Sequence, residues 1–195
     1  MTYYALRHPG WWGHDMSTRF KMPPSFSAIP GAQGFQQSNP CVLSLASLLG
    51  SLQIFKEVGM MTPIRQRSLT LTSSLDRSLR KSKHFVALRD ALAPQHDTIR
   101  RPSFTIITPA DPESRGAQLS LLFLPVNSGV MQTVFDYLAK HGVIADEREP
   151  DVIRLSPAPL YNTLDDCEQA VFHLNAAFST LFPDGKSPAG EGAVE

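Results

Sequence analysis

Apolar residues in this chain recur at helical spacing in three places. Leu71, Leu75 and Leu79 repeat every four positions, with Arg65, Arg67, Arg77, Arg80 and Lys81 on the other face. With the polar-then-proline start at Thr62-Pro63, they predict a helix running to about Lys83. Val130, Val134 and Leu138, flanked by Met131 and Phe135, predict a second, stopping near His141-Gly142. Val171, Leu174, Phe178 and Leu181 predict a third, opened by a capping box at Thr163-Leu164-Asp165-Asp166 and ending at Phe182. Residues 104–108, 118–124, 143–145 and 152–155 read as strands, and 109–116 as a loop. One further stretch is apolar without a polar face. Ser38-Asn39-Pro40 caps it, Gly59 ends it, and its residues wrap most of the way round, as in a buried helix.

The order helix, helix, strand, strand, helix, strand, strand, helix predicts an α+β domain: a small, mostly antiparallel sheet covered by helices. Residues 1–38 precede it as an irregular segment. Pro9, Pro23, Pro24 and Pro30 break any period there, yet Trp11, Trp12, Phe20, Phe26 and Phe35 need something to pack against. The expected division is 1–38, 39–183, and a small, polar, disordered tail at 184–195.

Composition narrows the function classes. The chain has 195 residues, 42% hydrophobic and 18% charged, which suits one packed core and excludes a disordered chain. Eighteen basic residues balance eighteen acidic ones, against non-specific nucleic-acid binding. Residues 65–101 hold nine basic and three acidic side chains, but Phe85 is their one aromatic, so a stacking platform is missing and a solvated basic face is expected. Residues 22–55 carry no charge, yet their apolar part, 41–55, falls short of the ~20 residues that span a bilayer. No membrane contact and no secretory signal are expected, and the location is expected to be cytoplasmic with both thiols reduced.

Few residues announce chemistry by themselves. His14 beside Asp15 could ligate a metal, but with no third ligand nearby they read as loop residues and no metal is expected. Cys41 stands at a helix start, where a thiolate would be stabilised; a buried structural cysteine is the expectation. Arg154 interrupts an apolar strand and calls for an anion. The anion is either a carboxylate of the acidic run 146–151 or that of a ligand held in bidentate fashion.

Several motifs in fixed order resemble one family. They are Gly10-Trp11-Trp12-Gly13-His14, Ser17-Thr18-Arg19-Phe20-Lys21-Met22, Pro30-Gly31, Gly34-Phe35, Ser38-Asn39-Pro40, Ile106-Ile107-Thr108-Pro109, Arg115-Gly116-Ala117-Gln118-Leu119, Asp146-Glu147-Arg148, Asp151-Val152-Ile153-Arg154 and Pro157-Ala158-Pro159-Leu160-Tyr161-Asn162. Together they are similar to the C-terminal part of kynureninase. The resemblance implies the small domain of an aspartate-aminotransferase-like enzyme that uses pyridoxal 5'-phosphate (PLP). It implies cleavage of kynurenine or 3-hydroxykynurenine to anthranilate or 3-hydroxyanthranilate plus alanine, in tryptophan breakdown and NAD synthesis, by a homodimer.

By the same resemblance, Trp11 and Asn39 match positions that hold the cofactor phosphate region and the substrate. His14 matches a position beside the substrate's aromatic ring, and Arg154 the arginine that grips its α-carboxylate. The family's Schiff-base lysine lies upstream of the Trp-Trp-Gly-His motif, where residues 1–8 offer no lysine, so no catalytic residue is assigned. The chain is therefore expected to act with a lysine-bearing part of a longer or split polypeptide, or to be a non-catalytic partner or inactive remnant.

Overall fold

The computed structural model describes residues 10–92, 101–183 and 185. Their contacts divide them into two compact units, one up to Glu57 and one from Val58 onward, so the dividing line falls after the first long helix rather than at 38/39. Apart from Gly185, the expected tail at 184–195 lies outside the described residues, as do residues 1–9.

The second unit is built on an antiparallel sheet of β1 (Ser103–Ile106), β2 (Leu119–Leu124), β3 (Asp146–Arg148) and β4 (Val152–Leu155), in the order β1-β2-β4-β3. Strand alternation sorts its residues. Leu119, Leu121 and Phe123 of β2 and Ile153 and Leu155 of β4 are buried, whereas Ser120, Leu122 and Arg154 between them are partly exposed. On the buried side, α4 (Val130–Lys140) packs on β2, β4 and α5 (Leu164–Leu181), and α5 packs on α2 (Met61–Arg80); the short α3 (Leu88–Ala91) lies by β1. Each helix contributes the stripe that its spacing predicted: Leu71, Leu75 and Leu79; Val130, Val134 and Leu138; Val171, Leu174 and Phe178. Phe178 stacks on Phe123 with ring centroids 6.0 Å apart and on His84 at 4.5 Å. A fully buried side chain of this size contributes about 1.5–3 kcal/mol. The capping box forms as expected, with the Asp166 N–H donating to Thr163 Oγ1 (3.2 Å) and the Thr163 N–H to Asp166 Oδ2 (2.7 Å).

The strand expected at 143–145 forms instead at 146–148. The Val143 N–H is already taken by the Leu138 carbonyl (3.0 Å), which closes α4, and pairing with β4 begins only at Asp146. An edge strand needs just one neighbour and tolerates charge, so its apolar content was a poor guide. The basic residues of α2 are also not merely solvated. Arg65 donates to the Pro112 carbonyl (2.6 Å) and Arg67 to the Asn162 carbonyl (3.0 Å), tying two loops to the helix.

The described residues of the first unit hold three 3-10 turns, Trp11–Gly13, Arg19–Lys21 and Gly31–Phe35, followed by α1 (Val42–Glu57). The expectation of a buried helix is overturned here, since no residue of α1 is buried and Val42, Leu43 and Leu49 are largely exposed. Apolar periodicity shows that a helix suits burial on all sides; it does not supply the surface that covers it. Among the described residues, no single helix is long and apolar enough to cross a membrane.

Candidate functional site

In the first unit, two glycines set the geometry. A Cβ on Gly10 would stand 2.0 Å from the Gln37 Cα, and one on Gly13 would stand 2.8 Å from the Gly34 carbonyl oxygen. Only glycine lets these backbones meet. The turn bearing Trp11 thereby lies against residues 34–37, just before Asn39. Trp11 is half exposed and meets Phe20 edge-on at 5.7 Å, and Asn39 is exposed.

His14 is 7% exposed and closes the same loop. The Ser27 N–H donates to its Nδ1 (3.2 Å), and its Nε2 sits 3.0 Å from Thr18 Oγ1. Asp15 accepts from the Ser17 hydroxyl (2.6 Å) and N–H (2.8 Å), which hold its carboxyl below the usual range. Among the described residues, no three metal-ligating side chains converge, here or elsewhere.

Arg19 is a residue that sequence reasoning passed over, although it sits in the Ser-Thr-Arg-Phe-Lys motif. Its side chain donates to the carbonyls of His14 (3.3 Å) and Trp12 (3.4 Å), and its guanidinium lies 4.7 Å from the Trp12 ring centroid. Its buried Nε has no hydrogen-bond partner among the described residues. Trp11, His14, Arg19 and Phe26 line a recess of about 340 Å³, a volume suited to one aromatic ring with polar edges.

Cys41 corrects the expectation of burial. It is exposed, and the Ser44 hydroxyl, then the Ser44 and Leu43 N–H groups, lower its thiol pKa. Cys167 in α5 is the buried thiol, pushed up by desolvation and by Asp166 and Glu168.

In the second unit, Arg154 stands on the sheet face away from the helices. Ser120 is its register partner on β2 and Asp146 its partner on β3. Its Nη2 donates to the Asp146 carboxylate, whereas its buried Nε has no partner among the described residues. Trp11, His14 and Asn39 belong to one unit and Arg154 to the other.

The comparisons agree with this architecture. The chain is 48% identical to a kynureninase of Yarrowia lipolytica across 90% of its own length and 39% of that protein's. It is 46% identical to kynureninase 2 of Neurospora crassa, covering 89% of this chain and 33% of that one. The chain thus spans under two fifths of the curated relatives that it matches. Among solved structures, a C-DES mutant with glycine covalently linked to its PLP cofactor has the same fold, with a TM-score of 0.62 at 15% identity, over 86% of this chain and 37% of that chain. Residues 64–174, from the start of α2 to the third turn of α5, match the kynureninase C-terminal domain model, and the chain belongs to that family.

Proposed function

We propose that this chain supplies the outer, substrate-binding part of a PLP-dependent kynureninase, which hydrolyses kynurenine or 3-hydroxykynurenine to anthranilate or 3-hydroxyanthranilate and alanine. The reading includes the homodimer, the cytoplasmic location, and the place in tryptophan catabolism and NAD synthesis. The observation that carries it is Arg154, a partly exposed guanidinium on the sheet face away from the helices, whose buried Nε–H has no partner among the described residues.

Taken separately, each unit carries groups that suit part of a bound cofactor or substrate. Trp11 and Asn39, half exposed and exposed, carry N–H donors suited to a phosphate region. Arg154 offers a planar fork for a carboxylate, and a fork fixes orientation as well as charge. His14 and Phe26, 5.5 Å apart, wall a recess that suits an aryl ring. The uncovered apolar side chains of α1 are consistent with a surface that the rest of the enzyme or a second subunit covers. PLP, when bound, supplies the electron sink that lets bonds at the substrate's α-carbon break.

A chimera tests the reading. The matched region of the Yarrowia lipolytica enzyme is replaced by this chain, and anthranilate fluorescence is followed after kynurenine is added. The chimera is expected to turn over, and Arg154→Ala to raise KM at least tenfold, the equivalent of one charge-assisted hydrogen bond or more (about 1.4 kcal/mol). The 195-residue chain alone, without the family's lysine, is expected to release no anthranilate. A folded but inactive chimera, or an unchanged KM, would refute the proposal.

A further inference from the structure

Arg154 cannot orient a ligand unless something orients Arg154. A long side chain on a sheet face gains little from one exposed ion pair and loses rotamer freedom in making it. In this sheet the register solves the problem. Asp146 is the direct cross-strand partner of Arg154, and a directly opposed pair on one face has Cβ atoms within about 5.5 Å. On the other side, Ser120 is engaged by Gln118 Nε2 (3.1 Å) and makes no bond to the guanidinium.

The second arginine is equally informative. Arg148 Nη1 donates to Asp146 Oδ1 at 2.6 Å and to the Glu147 carbonyl at 2.7 Å. The two oxygens of Asp146 are thus divided: Oδ1 receives Arg148 and Oδ2 receives Arg154. Arg148 pins the carboxylate, and the pinned carboxylate holds one amino group of Arg154. Among the described residues, the Arg154 Nε–H is left without a partner. With Asp146 45% exposed and Arg154 28% exposed, the pair is too open to matter much for stability. Its value is geometric.

We infer that Asp146, braced by Arg148, is a positioning residue that holds the Arg154 guanidinium ready for a ligand carboxylate. The inference rests on the carboxylate role proposed for Arg154. Asp146 does not touch the ligand; it acts through Arg154.

The test uses the full 195-residue chain and the side-chain Nε–H resonance of Arg154 in 15N NMR. Fast motion is read from the heteronuclear NOE, and L-kynurenine is then titrated while the resonance is followed. In the wild type the Nε–H should be as ordered as the backbone and should shift with kynurenine. Asp146→Ala should drop the NOE to that of the exposed Arg89 and raise the half-saturating kynurenine concentration about tenfold, as for one lost charge-assisted hydrogen bond. Asp146→Asn keeps an acceptor and should restore most of both. Arg148→Ala should give a smaller change in the same direction.

Three results would overturn the inference. An ordered Arg154 in Asp146→Ala would mean that Asp146 does not hold it. Tighter kynurenine binding in both Asp146 variants would make the carboxylate a competitor for Arg154, not its support. A wild-type resonance that ignores kynurenine, while Asp146→Ala still loosens the side chain, would remove the ligand role of Arg154 and the inference with it. That last pattern marks the carboxylate reading as the part that failed.

Discussion

Gly10→Ala isolates the feature that brings the Trp11 turn against residues 34–37. The added Cβ would lie 2.0 Å from the Gln37 Cα, with the Gln37 carbonyl oxygen at 2.5 Å and its carbon at 2.6 Å. Carbon atoms meet comfortably at roughly 3.5 Å, so the two backbones must part by about 1.5 Å. All three obstructing atoms are main chain, and no rotamer change can relieve them. Overpacking of this kind costs about 1–3 kcal/mol or more. Both tryptophans of the chain, Trp11 and Trp12, sit on the displaced turn, and Trp12 loses its seat under Arg19. Tryptophan emission should therefore shift to the red and acrylamide quenching should rise, while the helical circular dichroism of the second unit melts as in the wild type. Gly50→Ala, whose Cβ would enter open space within α1, is the control and should leave the emission unchanged. Wild-type emission and quenching in Gly10→Ala would refute the packing argument.

Two further outcomes follow from the caps and thiols. The Asp166 carboxyl pKa is lowered, chiefly by the Thr163 N–H and then by the Thr163 hydroxyl, so its contribution to stability is complete above the ordinary carboxylate value and disappears as pH falls through the lowered one. The urea midpoint of Asp166→Asn should sit below the wild type at neutral pH, and the two should converge below about pH 4; a gap that persists at pH 2 would refute this. Thiol titration of the native chain should count one fast group, Cys41, slowed by Ser44→Ala, with Cys167 reacting only after denaturation. Two fast native thiols would show that Cys167 is not sealed in the core.

The sequence made some of this legible for simple reasons. The helices α2, α4 and α5 bury the residues that their spacing picked out, because a period of four positions has one structural meaning. Thr163 and Asp166 form their box because capping is local. What sequence could not show is what lies across from a residue. Arg154 had two candidate anions, and only the register of β3 on β4 sets Asp146 opposite it. The apolar 143–145 run looked more strand-like than the charged 146–148, yet backbone pairing chose the latter. In the first unit, Trp11, His14 and Asn39 came from family motifs. Arg19 went unnoticed because a buried guanidinium serving backbone carbonyls has no spacing of its own. Cys41 was misjudged because burial statistics carry no information about which surface a helix start faces.

The closure around His14 also limits what that ring could offer a ligand. A main-chain N–H can only donate, so the bond from Ser27 requires a bare Nδ1. The ring hydrogen then sits on Nε2 and is given to Thr18 Oγ1. With both nitrogens engaged inside the chain, what His14 has left to offer a ligand is its carbon edge and flat face. Any part it has in the recess is that of a shaped wall.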